Sequence, residues 1–137
     1  MMVSTRGRYA LRAMIDLAEH SGEEAYVPMK QVAERQNISL KYLEKILPVL
    51  AKNNFIEGVQ GKGGGYRLTK DPAEYTVGSI LRLTEGNMAP VACLDCCHEA
   101  ECSNTADCRT RPMWDKLYTI INEYLDSVTI ADLMNNA

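Results

Sequence analysis

One stretch of the N-terminal half reads Met29-Lys30-Gln31-Val32-Ala33-Glu34-Arg35-Gln36-Asn37-Ile38-Ser39-Leu40-Lys41-Tyr42-Leu43-Glu44-Lys45-Ile46. Pro28, directly before it, suits the first turn of a helix. Asn37 tolerates the left-handed backbone of a tight turn, and Ser39 is an expected N-cap for the helix that follows. The stretch therefore predicts a short helix over Met29–Gln36, a turn and a second helix, which is the pattern of a helix-turn-helix.

The second helix of this motif is predicted over residues 40 to about 53. Its leucines recur at helical spacing and should face the core. They are Leu40, Leu43, Leu47 and Leu50. Lys41, Tyr42 and Lys45 fall on the other side of the helix. We expect Tyr42 and Lys45 to reach base edges or neighbouring phosphates in a major groove, with Ser39 and Lys41 at the DNA backbone.

A glycine-rich run, Gly61-Lys62-Gly63-Gly64-Gly65, separates two segments that have the character of short strands, residues 55–60 and 66–69. Adjacent glycines allow positive φ and a close approach of the backbone. A hairpin directly after a recognition helix is a wing, and Lys62 at its tip, with Arg67 on the second strand, is expected to meet phosphate or a minor groove. A nucleotide-binding loop is the alternative, but such a loop leads from a strand into a helix, and here the glycines lead into a strand.

Charge is distributed unevenly along the chain. Residues 1–70 carry eleven Lys and Arg against seven Asp and Glu, a net charge of +4, whereas residues 71–137 carry four against eleven, a net charge of −7. The first predicted helix, Thr5–His20, has arginines in its first turns. A basic half beside an acidic half indicates that one end of the molecule meets a polyanion. The candidate contacts to double-stranded DNA are Arg6, Arg8, Ser39, Lys41, Tyr42, Lys45, Gln60, Lys62, Gly63 and Gly64.

The C-terminal half is predicted to hold a helix at Val77–Glu85, a longer helix over residues 110–127 and a last short one that starts with a capping box of Thr129 and Asp132. Apolar residues at helical spacing form a stripe along the longer helix. They are Met113, Leu117, Ile120, Ile121, Tyr124 and Val128, and Trp114, Tyr118 and Leu125 widen the stripe. So wide an apolar surface predicts packing against a second copy in a homodimer; the alternative is a helix folded back on its own domain. A two-fold dimer in turn predicts an operator that is an imperfect palindrome.

These elements predict a mainly α fold with a small β-wing. Residues 1–75 form a winged helix-turn-helix DNA-binding domain. Residues 76–137 supply a cysteine-rich sensor loop, at about 93–108, and the dimerisation helices, of which the long C-terminal helix is the main one.

All five cysteines lie in one polar stretch that has no helical or strand periodicity. They are Cys93, Cys96, Cys97, Cys102 and Cys108. Such a loop has little apolar area to hold its shape, and clustered thiolates are suitable ligands for an iron–sulfur cluster or for zinc. No apolar signal region precedes the first helix and no apolar run is long enough for a membrane span, so we expect a cytoplasmic protein. In a cytoplasmic protein, an odd number of cysteines indicates metal or redox chemistry and not a disulfide framework.

The spacing Cys93-Leu-Asp-Cys96 leaves other interpretations open. It is the gap of a zinc half-site, although Cys102 and Cys108 are farther apart than the usual second half. A DNA-binding regulator with zinc, or with no cofactor and a thiol–disulfide switch, is therefore the alternative. A thiol oxidoreductase needs its cysteine pair at a helix start near a βαβ unit. The sequence contains no such unit, so no enzymatic activity is predicted.

Four stretches occur together along the chain: Thr-Arg-Gly-Arg-Tyr-Ala-Leu-Arg-Ala-Met (5–14), Ile-Ser-Leu-Lys-Tyr-Leu-Glu-Lys-Ile (38–46), Gly-Lys-Gly-Gly-Gly-Tyr (61–66) and Glu-Gly-Asn-Met-Ala-Pro-Val-Ala-Cys-Leu (85–94). They resemble the Rrf2 family of winged-helix transcription regulators, which includes IscR, NsrR and CymR. The resemblance covers nearly the whole chain and implies a dimeric bacterial DNA-binding repressor or activator. In many members three cysteines of this loop hold a 2Fe–2S or 4Fe–4S cluster that senses iron–sulfur status, nitric oxide, oxygen or iron.

Carried over position by position, the resemblance assigns Cys93, Cys102 and Cys108 as the cluster ligands, and Cys96 is an alternative first ligand because five residues separate it from Cys102. In IscR-like members a histidine three residues after the last cysteine completes the site, but here Arg111 occupies that position and cannot ligate. Some NsrR-like members borrow a carboxylate from the first helix of the partner chain, and here that position is Arg8. The fourth ligand is therefore open among Cys96, Cys97, His98 and an external ligand. Gln60 replaces the arginine that IscR-like members carry before the wing, so their DNA sequence preference does not transfer directly.

Overall fold

The computed structural model describes residues 3–21, 25–61, 63–91, 94 and 108–134. Along the chain the elements are α1 Thr5–His20, α2 Met29–Gln36, α3 Leu40–Lys52, β1 Ile56–Val59, β2 Gly65–Leu68, a short 3-10 helix Pro72–Glu74, α4 Val77–Glu85, α5 Arg111–Ser127 and α6 Ile130–Met134. The helices with their antiparallel β1–β2 hairpin confirm the predicted fold class. None of the helices in these ranges combines the length and the apolar character needed to cross a lipid bilayer.

Short polar side chains fix the starts and ends of the helices. The Ser39 hydroxyl accepts a hydrogen bond from the Tyr42 amide at 3.1 Å, which confirms Ser39 as the N-cap of α3. Thr76 caps α4 in the same way, through the Ser79 amide at 3.0 Å. Asn37 ends α2 in the left-handed conformation, with φ 53° and ψ 47°. The two helices and the tight turn of the predicted motif are therefore formed.

The main apolar core joins α1 and α3 to the hairpin, α4 and α6. Its fully buried side chains include Ala10, Ala13, Met14 and Leu17 of α1, Leu43, Leu47 and Leu50 of α3, Ile80 of α4 and Ile130 of α6. Leu40 was predicted to face this core, and that prediction is wrong because its side chain is 41% exposed. Leu40 is the first residue of α3, and the packed face of the helix begins one turn later, at Leu43.

The hairpin is held close to the segment that precedes α2. β1 pairs with β2 so that Ile56 lies opposite Leu68. Val27 adds a bridge to Tyr66, with amide-to-carbonyl hydrogen bonds of 2.8 and 2.9 Å in the two directions. A Cβ on Gly65 would lie 2.2 Å from the Val27 carbonyl oxygen, so a side chain at this position would separate the wing from that segment.

The apolar surface of α5 is divided between two faces. Tyr118, Ile121, Leu125 and Val128 pack against a second buried cluster, formed by Val77, Leu81 and Met88. Met113, Leu117, Ile120 and Tyr124 are 53%, 37%, 51% and 66% exposed, and we call them the exposed stripe of α5. The inner face therefore folds back on its own domain, which was the alternative prediction, and the exposed stripe is the surface available to a second copy.

After α5 the chain returns to the winged domain. The Ile130 amide donates to the Tyr75 carbonyl oxygen at 3.0 Å, and the Ile130 side chain is fully buried in the main core. Thr129 and Asp132 form the predicted capping box, with amide-to-side-chain hydrogen bonds of 2.9 and 3.1 Å. Packing is therefore continuous across the boundary expected at residue 75.

Candidate nucleic-acid interface and cysteine segment

The outer face of α3 is the first part of the candidate interface. Lys41 and Lys45 lie one turn apart, and both side chains are exposed. Ser39 is also exposed, and its hydroxyl is engaged in capping the helix. This places two cations on the first two turns of the second helix of the motif, where such helices meet base edges.

Tyr42 is less accessible than the sequence pattern suggested. Its ring is partly buried and packs edge-on against Tyr9 of α1, with ring centroids 5.2 Å apart and an interplanar angle of 77°. Arg12 lies 5.5 Å from the centre of the Tyr9 ring. Tyr42 therefore joins α3 to α1, so Lys41 and Lys45 are the more accessible side chains of this face.

The first turns of α1 and the wing supply the remaining candidates. Arg6 and Arg8 are exposed, and Arg8 donates to the Thr5 hydroxyl at 3.2 Å. Gln60 and Gly63 are exposed as well, and Gly63 has φ 80° with open space where a Cβ would stand. Gly64 is partly buried, and its amide donates to the Gly61 carbonyl at 3.0 Å. Lys62 lies outside the described residues.

Arg67 has a structural role at the base of the wing. Its guanidinium pairs with Glu57 on the opposite strand and lies 4.6 Å from the centre of the Tyr26 ring. A hydrogen bond that closes a cross-strand ion pair favours the hairpin. The Arg67 side chain therefore helps to hold the two strands together.

The sequence pattern did not single out Asp16, which is the buried charged side chain of α1. Arg35 donates to both of its carboxylate oxygens, at 2.8 and 3.0 Å, and Gln36 donates to one of them at 3.0 Å. Burial alone would raise the pKa of Asp16, but the hydrogen bonds from Arg35 and Gln36 and the positive charge of Arg35 hold that pKa below its ordinary value. The one signal in the sequence is an acid between Ala13 and Leu17 on an apolar helix face.

Cys108 is the candidate metal ligand within the described part of the chain. Its thiol is partly exposed and lies 3.3 Å from the Thr110 hydroxyl, three residues before α5 starts. Hydrogen bonds from the hydroxyl and amide of Thr110, then the amide and charge of Arg111, lower the pKa of this thiol. A thiolate is the form that binds metals, so the surroundings of Cys108 suit a cluster or zinc ligand. Cys93, Cys96, Cys97, His98 and Cys102 lie outside the described residues.

The cysteine-rich stretch at about 93–108, which we call the cysteine segment, is attached on both flanks to well-packed elements. Glu85, the last residue of α4, accepts hydrogen bonds from the amide and the hydroxyl of Ser4, at 2.9 and 2.6 Å. Met88 is buried in the second cluster. On the other side, Cys108 leads directly into α5. The segment therefore connects the helix that braces the start of α1 with the helix that carries the exposed stripe.

Known proteins resemble this chain over almost its full length. A family model described as "Rrf2: Iron-dependent Transcriptional regulator" matches residues 3–136. The HTH-type transcriptional regulator IscR of Serratia proteamaculans is 38% identical over 136 residues, which are 99% of this chain and 80% of that protein. Among solved structures, CymR, the global cysteine regulator of B. subtilis, has a TM-score of 0.81 at 33% identity, and the match covers 100% of this chain and 98% of the CymR chain. IscR of T. potens has a TM-score of 0.78 at 37% identity, and the match covers 99% of this chain and 88% of the IscR chain.

Proposed function

Because the chain belongs to the Rrf2 family of iron-dependent transcriptional regulators, we propose that it binds DNA as a homodimer and senses the state of an iron–sulfur cluster in its cysteine segment. Relatives of the IscR and CymR type are transcriptional regulators and not enzymes. A bacterial regulator that acts on double-stranded DNA works in the cytoplasm. The signal is iron–sulfur status, nitric oxide, redox state or iron.

DNA contact is assigned to α3, the wing and the first turns of α1. Lys45 and Lys41 lie on the exposed face of α3, so Lys45 is the residue proposed to read a base edge, with Lys41 and Ser39 at phosphates. The other proposed contacts are Arg6, Arg8, Tyr42, Gln60, Lys62, Gly63 and Gly64. Phosphate contacts from the lysines and arginines give affinity and a strong dependence on salt, and base contacts give sequence preference.

The dimer is proposed to form through the exposed stripe of α5. Its members recur at intervals of four, three and four residues, which is the spacing of a seam between two helices. Two copies related by a two-fold axis would then present two α3 helices, and the operator would be an imperfect palindrome.

The single observation that carries the cluster proposal is the environment of Cys108. Its thiol is partly exposed, its pKa is lowered by Thr110 and Arg111, and it stands directly before α5. The proposed ligands are Cys93, Cys102 and Cys108, with the fourth position open among Cys96, Cys97, His98 and an external ligand. A bound cluster, 2Fe–2S or 4Fe–4S, would supply the reactivity toward oxygen, nitric oxide or iron limitation. The chain would hold Cys108 as a thiolate at the start of the helix on which dimerisation depends.

Anaerobic purification with a visible spectrum and iron and sulfide analysis tests this function. A brown protein with sulfide-to-iron charge-transfer bands is expected. Cys108→Ala should abolish the colour, whereas Cys97→Ala, at one of the candidates for the open fourth position, should keep most of it. A colourless protein, or colour that survives Cys108→Ala but not Cys97→Ala, would contradict the ligand assignment.

The second candidate is a regulator that uses zinc or a thiol–disulfide switch in the same segment. The lowered pKa of the partly exposed Cys108 favours a reactive thiolate, which also serves these chemistries. A colourless protein with bound zinc would support the zinc site. A colourless, metal-free protein whose DNA affinity changes on reversible oxidation would support the switch.

A further inference from the structure

Three side chains on one face of α1 contact the helix-turn-helix at its turn. They are Tyr9, Arg12 and Asp16, which we call the α1 clamp. Their spacing of three and four residues places them in one row along the helix. The clamp reaches the last residues of α2 and the first turn of α3, so it spans the tight turn at Asn37.

Gln36, the last residue of α2, is held from two sides by the clamp. Its amide nitrogen donates to the Asp16 carboxylate at 3.0 Å. Its amide oxygen accepts from Arg12 Nε at 3.4 Å, and Arg12 also donates to the backbone carbonyl of Gln36. A donor on one side and an acceptor on the other fix the orientation of this amide.

Asp16 makes displacement of α2 unfavourable. Its carboxylate is fully buried and receives donors from Arg35 and Gln36, both on the last turn of α2. A buried carboxylate that loses its donors is strongly destabilised. The end of α2 therefore has one favourable position relative to α1.

The other end of the clamp sets the start of α3. The Tyr9 ring packs on Tyr42, and the Arg12 guanidinium carbon lies 5.5 Å from the centre of the Tyr9 ring. Arg12 thus contacts both the tyrosine that supports α3 and the glutamine that ends α2. Three residues separate Gln36 from the first residue of α3, so movement at Gln36 passes directly to that helix.

We infer that the α1 clamp, acting through Gln36, is a positioning site that determines how well α3 distinguishes its operator from other DNA. This rests on the proposed role of α3 as the recognition helix. Contacts to base edges need a rigidly placed helix, whereas long lysine side chains reach phosphates from a range of helix positions. Loosening the clamp therefore lowers sequence preference more than it lowers the affinity for DNA in general.

Gln36→Met is the test, because methionine has a similar length, forms helices well and removes both amide hydrogen bonds without a change of charge. Gln31→Met, on the exposed face of the same helix, is the matched control. Each dimer is titrated with the consensus duplex that the wild-type protein selects from a random library, and with a scrambled duplex of equal length, over a series of salt concentrations. Thermal unfolding of each variant shows whether it is folded at the assay temperature.

Gln36→Met is expected to weaken binding to the selected duplex by about three- to tenfold, the effect of one or two hydrogen bonds, and to leave scrambled-duplex affinity and the salt slope unchanged. Gln31→Met should alter neither. An equal loss on both duplexes, in step with the loss of thermal stability, would mean that the clamp is merely structural. If the wild-type protein selects no consensus, the proposed function fails and not only this inference.

Arg12→Lys provides an independent test that should disturb the folded structure less than Gln36→Met does. Lysine keeps the positive charge but cannot contact the Gln36 carbonyl and the Tyr9 ring with one planar group. The ratio of selected to scrambled affinity should fall while the salt slope stays the same. A ratio equal to that of the wild type in both Arg12→Lys and Gln36→Met would overturn the inference.

Discussion

Arg82 of α4 binds Asp126 of α5 through two hydrogen bonds, from Nη1 to Oδ1 at 2.8 Å and from Nη2 to Oδ2 at 2.9 Å. Nη2 also donates to Asn122 at 2.8 Å. The hydrogen bonds and charge of Arg82 hold the pKa of Asp126 below its ordinary value. Gly78 lies against this pair, because a Cβ there would be 2.2 Å from Asp126 Oδ1. A glycine and an ion pair thus set where α5 crosses α4.

A double-mutant cycle tests this crossing. Gly78→Ala improves helix propensity in every background, but in the wild type it also pushes against the Asp126 carboxylate. We expect the substitution to be more favourable by about 0.5–1 kcal/mol when Asp126→Ala is already present. Urea unfolding of the four proteins measures this coupling, and equal effects of Gly78→Ala in both backgrounds would show that the Cβ does not meet the pair.

A charge in the exposed stripe of α5 should separate the dimer. Ile120→Glu places a carboxylate in the proposed seam and is expected to give monomers by sedimentation velocity. Thr119→Glu, one residue earlier and outside the stripe, is the control and should remain dimeric. Ile121 is unsuitable for this test because it packs in the second buried cluster, where a charge would disturb the fold itself. A dimeric Ile120→Glu variant would place the interface elsewhere.

Lysines in the second turn and in the last turn of α3 should differ in their effect on DNA binding. Lys45→Ala is expected to weaken operator binding by about 1–3 kcal/mol if Lys45 reads a guanine. If Lys45 touches phosphate alone, the loss should be uniform across sequences and should flatten the salt dependence by about one unit of slope. Lys52→Ala, in the last turn of α3, should have a smaller effect. Equal losses from the two variants in a fluorescence-anisotropy titration would remove Lys45 from its proposed role.

Acid should remove the stabilisation that Asp16 provides. Because the folded-state pKa of Asp16 lies below its ordinary value, its contribution is complete above the unfolded pKa of about 3.9 and is lost as the pH falls through the lower folded value. Asp16→Asn should therefore lower the free energy of unfolding by about 1–3 kcal/mol at pH 7, and the difference should shrink below about pH 4. The exposed Asp115 gives the control Asp115→Asn, which should change stability by less than about 0.5 kcal/mol. A difference that stays constant down to about pH 2 would contradict this account.

Local chemistry in the sequence predicted much of the fold. Ser39 and Thr76 accept hydrogen bonds from backbone amides three residues later, and Asn37 ends α2 in the left-handed conformation. These roles depend on neighbours along the chain, so the sequence alone predicts them. The periodicity of α5 also predicted the breadth of its apolar surface. It did not predict which residues face inward, because that depends on α4, whose position is set by packing and not by the sequence of α5.

Long-range polar pairs were beyond prediction for a similar reason. Ser4 and Glu85 are 81 residues apart, and neither has a sequence context that names its partner. Asp16 is an isolated acid in its local sequence, and its partner Arg35 lies 19 residues further along the chain. The DNA contacts and the proposed cluster ligands Cys93, Cys102 and Cys108 stay predictions, because they depend on DNA, on a cluster and on residues outside the described structure.

Ile130 occupies the same core as the helices of the winged domain, so α5 is fastened to that domain beyond its own C-terminal end. A dimerisation arm on a flexible linker would let each half of the dimer swivel to meet unevenly spaced half-sites. Ile130 is instead held by its hydrogen bond to Tyr75 and by its burial in the main core, so in the proposed dimer the separation of the two α3 helices should be fixed. Inserting one base pair at the centre of the operator turns one half-site by about 34° relative to the other. The protein should therefore tolerate substitutions at the operator centre much better than insertions or deletions there.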